Sequence, residues 1–167
     1  RLRGTMLDED AKRNLLEIYQ LGKDWGRAIA IAGELPDVAS RKEIAEYYCE
    51  LAAAEMIRSR RDEARAHLAT ALETNRLCVR ASLLQGDLHA QEGNHQAAID
   101  SWQQIEAQNP AYLALVAQRL LAAYRAIDRR DDGLRLLRGY LENYHSLDLL
   151  DVVFQLVIEH EGFARIH

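Results

Sequence analysis

Slid against itself, the chain matches at intervals of 36, 34 and 35 residues, marked by the anchors Leu16, Ala52, Gly86 and Leu121. A period of that length means one supersecondary unit copied along the chain, because each copy buries its apolar face only against its neighbours. The matching columns are Leu15-Leu16-x-x-Tyr19 with Ala28-x-x-x-Ala32, Leu51-Ala52 with Ala64-x-x-x-Leu68, Gln85-Gly86 with Ala98-x-x-x-Trp102, and Leu120-Leu121-x-x-Tyr124 with Gly133-x-x-x-Leu137. Each copy reads as a pair of helices. The 167 residues include 25 Ala and 25 Leu against 19 Val, Ile and Thr together, so the residues that give up least freedom in a helix dominate. Apolar residues also return at helical spacing, as in Leu113, Val116, Leu120, Leu121 and Tyr124, without the sustained alternation of a strand.

Helix boundaries carry their own chemistry. Ser40-Arg41-Lys42-Glu43 reads as a capping box, in which serine and glutamate each satisfy a backbone N–H of the first turn. Asn109-Pro110 places a cap before a proline whose missing N–H costs nothing at a helix start, and Asp24, Asn94 and Ser146 are expected to cap three more. With short connections such as 91–94 and 127–130, about nine helices in antiparallel hairpins are expected. At this spacing the sequence resembles the tetratricopeptide family, whose units are helix pairs of about 34 residues. Its pattern wants a small residue on the first helix, met by Ala52 and Gly86, and a tyrosine three positions later, met by Tyr19 and Tyr124. A small residue on the second helix is met by Ala28, Ala64, Ala98 and Gly133, and a closing proline only by Pro110. Leu16 and Leu121 are larger than the pattern, and Glu55 and His89 occupy the tyrosine column. The resemblance implies an all-α, right-handed α-solenoid: one array over 1–167, with units at 9–40, 45–76, 79–110 and 114–145 and a partial unit at 146–167. A chain that stops inside a unit is expected to be an excerpt of a longer protein.

Several functions are disfavoured. The net charge is −5 with 28% charged residues, without the basic excess that phosphate binding requires, so nucleic acid is not an expected ligand. The longest uncharged stretch, 107–118, is 12 residues long and holds Asn109 and Pro110, whereas a bilayer crossing takes roughly 20 apolar residues. Direct membrane insertion is therefore not expected. Cys49 and Cys78 belong to no C-x-x-C pair and read as buried free thiols of a reducing compartment, with a structural disulfide as the second choice, and as filling space rather than acting as nucleophiles. His89 and His95 flank a turn with no further ligands close by in sequence, and His160-Glu161 lacks the second histidine of a metalloprotease helix. No metal and no cofactor is expected. Tyr47, Tyr48 and Trp102 read as core fillers, Asp131-Asp132 as favourable charges at a helix start. No set of acid, base and nucleophile emerges, so an enzyme is not expected.

A closer resemblance rests on Leu15-Leu16-Glu17-Ile18-Tyr19-Gln20, Asp24-Trp25-x-x-Ala28-Ile29, Ile44-Ala45-Glu46-Tyr47-Tyr48-Cys49-Glu50-Leu51-Ala52 and Gly93-x-x-x-Ala97-Ala98. These make the run from Lys12 to Gly162 similar to the repeat region of the lipopolysaccharide assembly protein B family of Gram-negative bacteria. The resemblance implies an adaptor on the cytoplasmic face of the inner membrane. Its repeats would help the membrane-bound protease FtsH remove the LpxC-type deacetylase that commits carbon to lipid A, and would contact other envelope-regulating membrane proteins. Family members are implied to carry an N-terminal membrane anchor and a C-terminal rubredoxin-like metal domain, neither lying within these residues.

Carried over residue by residue, the family's binding groove on the first helices would comprise Arg13, Glu17 and Gln20, then Glu46, Cys49 and Met56, then Arg80, Asp87 and Gln91, then Gln118 and Arg125. Within each helix these stand three, four or seven positions apart and so share a face. Arg80 and Arg125 are suited to two-pronged recognition of carboxylates, and Met56 and Cys49 to an adaptable apolar floor. Charges on an exposed helix are in most cases simply solvated surface. Two other readings stand beside the adaptor: a substrate-presenting arm of an N-acetylglucosaminyltransferase, and a structural module that pairs with its own copy as a homodimer.

Overall fold

The computed structural model describes residues 2–35 and 39–164, with side chains over 7–35 and 39–158. Among the described residues there are nine α-helices and no strand. They are α1 (Leu2–Leu21), α2 (Trp25–Glu34), α3 (Arg41–Ile57), α4 (Arg61–Thr74), α5 (Val79–Gln91), α6 (His95–Gln108), α7 (Leu113–Ala126), α8 (Arg130–Asn143) and α9 (Leu147–Ala164). The end of the partial unit, 165–167, and the side chain of His160 lie outside the described residues. No described helix is long and apolar enough to cross a membrane.

The capping residues act where the sequence places them. Ser40 Oγ accepts from the Glu43 backbone N–H at 3.3 Å while Glu43 Oε2 accepts from that of Ser40 at 2.7 Å, closing the box at the start of α3. Asp24 accepts from the Arg27 N–H ahead of α2, Asn94 from that of Ala97 ahead of α6, and Ser146 from that of Leu149 ahead of α9. Asn109 differs in detail. It caps a 3-10 turn over Pro110–Tyr112, and α7 begins only after that turn, because the Tyr112 N–H reaches back three residues to the Asn109 carbonyl.

One corner recurs four times. Between α1 and α2, α3 and α4, α5 and α6, and α7 and α8, a single residue adopts positive φ: Lys23 at 54°, Ser59 at 62°, Gly93 at 76° and Asp128 at 57°. The next N–H bonds to the carbonyl five residues back, Asp24 to Tyr19, Arg60 to Glu55, Asn94 to His89 and Arg129 to Tyr124, at 2.8 to 2.9 Å. The left-handed residue itself bonds to Gln20, Met56, Ala90 or Arg125, at 3.0 to 3.1 Å. This double closure is a Schellman motif, which satisfies carbonyls that the ending helix leaves open. The tyrosine column of the repeat therefore supplies the carbonyl that ends each first helix, and Glu55 and His89 do so as well as tyrosine because the bond is made by the backbone.

The chain divides into two compact units, up to Leu84 and from Gln85 onward, the border falling inside α5. In the first unit α1 packs on α2, α2 on α3 and α3 on α4. Leu16, Ala28, Ala32, Ala39 and Tyr47 form a buried cluster, with Tyr19, Trp25 and Ile29 against it. The Tyr47 ring stacks on Trp25 with centroids 5.6 Å apart. In the second unit α7 packs on α6, α8 and α9 and buries Leu113, Val116, Leu120 and Leu121 completely or nearly so, each such side chain adding roughly 1.5 to 3 kcal/mol of apolar stabilisation. Glycine sets two close approaches there. A Cβ on Gly86 would sit 2.2 Å from the indole nitrogen of Trp102, and one on Gly133 would sit 2.9 Å from Tyr124 Cβ.

Candidate functional site

In the first unit, Arg13 and Glu17 lie four positions apart on α1, both exposed. Gln20 is half-buried and its amide donates to the Tyr47 hydroxyl, which ties it into the packing of α1 on α3. Met56 on α3 is half-buried. Cys49 presents no surface: it is 0% exposed, because the Cys78 thiol lies over it at 3.7 Å between sulfurs. Arg80 does not extend into solvent as a free fork. Its Nη1 bonds to Glu50 Oε1 at 2.7 Å and lies 3.6 Å from Glu46 Oε2, and the guanidinium is held more firmly charged by these carboxylates than its burial alone would allow. Glu46 in turn accepts from the Cys78 thiol, Sγ to Oε1 3.7 Å. Glu46, Cys49, Glu50, Cys78 and Arg80 are thus one connected group.

The thiols of that group are unequal. The hydrogen bond with Cys78, then burial, pushes Cys49 far above the usual thiol range, while the same bond holds Cys78 below it.

In the second unit, Asp87 is half-buried and accepts from Arg119 Nε at 3.0 Å. The Trp102 indole also donates to it, an approach that the bare Gly86 makes possible. Burial raises the Asp87 carboxyl above its ordinary value, against the pull of Arg119 and Trp102. Gln91, Gln118 and Arg125 are exposed, and the last two share a face of α7, two turns apart. A cavity of about 450 Å³ is lined by Glu106, Tyr124, Arg129, Asp132 and Tyr140 among others. Its charged groups are already engaged: Arg129 Nε meets Asp132 Oδ2 at 2.7 Å and lies over the Tyr124 ring, and Glu106 accepts from the Tyr144 hydroxyl.

Glu50, Cys78 and Arg119 were not among the groove residues read from the sequence. Two of them had a signal. Arg80 follows Glu50 by 30 residues and Arg119 follows Asp87 by 32, so opposite charges stand slightly less than one repeat apart on successive first helices. Cys78 had none, since 29 residues from Cys49 is no multiple of the period.

Comparison with known proteins bears on the whole chain. It is 32% identical over 159 residues to lipopolysaccharide assembly protein B of Haemophilus influenzae, a match covering 92% of this chain and 39% of that protein. It is 24% identical over 155 residues to the Escherichia coli K12 protein of the same name, covering 91% and 40%. The resemblance read from Lys12 to Gly162 is thus found across nearly the whole chain, which spans about two fifths of the length of these curated relatives. No protein-family model matches. Among solved structures, the crystal structure of MamA protein, a tetratricopeptide-type protein, aligns with a TM-score of 0.56 at 21% identity, over 84% of this chain and 75% of that one. The fold is all-α, of the tetratricopeptide class. Together these similarities support a role in protein–protein interaction.

Proposed function

We propose that this chain is the protein-gripping segment of an adaptor that controls lipopolysaccharide synthesis. The observation that carries the reading is the match of 92% of the chain to lipopolysaccharide assembly protein B at 32% identity, on a helix-hairpin fold of a class that binds other polypeptides. In this reading the chain performs no chemistry. It holds an LpxC-type deacetylase, or the FtsH-type protease that degrades it, on the cytoplasmic side of the inner membrane, and the protease gains from the raised local concentration. Helices already formed before the encounter spare the partner complex part of its ordering cost.

The exposed positions Arg13, Glu17, Gln91, Gln118 and Arg125 are the contacts in this reading. Arg80 and Asp87, engaged with Glu50 and Arg119, shape the faces from behind. Contacts that are largely charged weaken as salt shortens the reach of their fields. The test is a pull-down with the full-length protein carrying Arg125→Glu or Arg13→Glu. Capture of the deacetylase or the protease is expected to fall by roughly fivefold or more, with helix content by circular dichroism unchanged. Undiminished capture by both variants would remove these faces from the mechanism.

A further inference from the structure

The group around Cys49 has a geometry that a space-filling role does not require. Three ligand atoms of metal-binding type, Glu46 Oε1, Cys49 Sγ and Cys78 Sγ, lie within 4.8 Å of one another. The sulfurs are 3.7 Å apart and the carboxylate oxygen is 3.7 Å from Cys78 Sγ. A tetrahedral zinc with bonds to sulfur of about 2.3 Å spans a sulfur–sulfur edge of about 3.8 Å. The two thiols therefore stand at that edge already, whereas a disulfide would have to draw them together to about 2.05 Å. A carboxylate aimed at the pair has no use in a disulfide and an evident one in a cation site.

We propose that Glu46, Cys49 and Cys78 bind one zinc ion, through Cys49 Sγ, Cys78 Sγ and Glu46 Oε1, with water in the fourth position. This goes beyond the adaptor reading and stands whether or not that reading does. The charges balance. Zinc entering as a dication displaces the two thiol protons to solvent, so Glu46, Glu50, Arg80 and the metal–thiolate unit keep the net charge of the metal-free group. Arg80 is a positioning residue. By lying 3.6 Å from Oε2 it occupies the oxygen of Glu46 that does not face the sulfurs and orients the other, as outer-shell partners of metal ligands do. Entry is from the Glu46 side, whose side chain is 39% exposed, since Cys49 and Cys78 are 0% and 2% exposed.

The test uses the reduced chain, incubated with zinc, freed of unbound metal by gel filtration and analysed for zinc content, with cobalt(II) as an optical probe in parallel. One zinc per chain is expected, together with a sulfur-to-cobalt charge-transfer band in the near ultraviolet and the strong visible bands of tetrahedral cobalt. Cys78→Ala should abolish the charge-transfer signature of the pair, and Glu46→Gln should weaken binding by roughly tenfold or more. Zinc should raise the melting midpoint of the wild-type chain and leave that of Cys78→Ala in place. The proposal is overturned if the wild-type chain retains no stoichiometric zinc, or if Cys78→Ala retains as much, which would place the metal on the histidines. It is equally overturned if the sulfurs close a disulfide on oxidation while the reduced chain takes up no cobalt. Circular dichroism of both variants separates loss of metal from loss of fold.

Discussion

At Gly86 the nearest atoms of Trp102 would lie 2.2 to 2.6 Å from an added methyl, and the indole cannot retreat without leaving Asp87. Gly86→Ala should therefore destabilise the second unit by about 2 kcal/mol, overpacking outweighing the gain in helix propensity. At Gly133 the clash with Tyr124 is milder, 2.9 to 3.1 Å, and the two effects nearly cancel. Gly139, also helical, meets nothing within 4 Å, so Gly139→Ala should stabilise by about 1 kcal/mol. Urea midpoints of the three variants check the order, and an equal effect at all three would show that the Trp102 contact does not govern the site. The two small-residue columns, Gly86 in that of the first helices and Gly133 in that of the second, were legible in the sequence because the period aligns them. The large partner was legible only as something apolar nearby. The cysteines were read correctly as buried, but their meeting with Glu46 was not visible, since it depends on how the start of α5 lies across α3.

Elements show the same division between local and distant information. Caps were legible because donor and acceptor stand two or three residues apart, as in Ser40 and Glu43. Ser40→Ala should cost about 1 kcal/mol, read as a lowered melting midpoint, and Glu43→Ala should cost part of the same amount because it removes the other half of the box. The Asn109 cap was equally legible, yet the 3-10 turn it opens was not, since proline at a first helical position suits either helix type. On α9, Leu147, Leu150, Phe154 and Ile158 are all exposed, three or four residues apart on one face. An environment-sensitive apolar dye should bind the chain, and Leu150→Ser with Phe154→Ser should remove most of that signal while leaving helix content intact.

On the scale of the whole molecule, the period made the fold class readable before any coordinate, because repeated anchors constrain neighbours in a way that a single helix pattern does not. What the period leaves out is the titration behaviour, which depends on burial that only packing creates. Burial raises the Tyr140 hydroxyl well above the ordinary tyrosine value of 10.0, with Glu106 adding to it, and raises Tyr124 and Tyr144 in the same unit. A group that keeps its proton longer when folded than when unfolded contributes stability below the unfolded value and loses it above. The second unit should thus weaken progressively above about pH 10. Tyr140 is 2% exposed and its hydroxyl has no hydrogen-bond partner among the described residues. Tyr140→Phe should therefore flatten that alkaline decline and, by removing an unsatisfied polar group, raise the stability at neutral pH by about 1 kcal/mol. Unfolding monitored between pH 7 and pH 11 distinguishes the two chains, and parallel curves would show that Tyr140 does not drive the decline.

The corner that recurs at Lys23, Ser59, Gly93 and Asp128 is built from main-chain bonds, so its shape is independent of the side chain it carries. Such a joint is interchangeable. Exchanging Ser59-Arg60 for a Gly-Asn pair like that at 93–94 should yield a chimaera that folds as before, the left-handed strain relieved against a looser unfolded chain. A family built on this joint can diverge freely at its bends while its stacking surfaces stay in register.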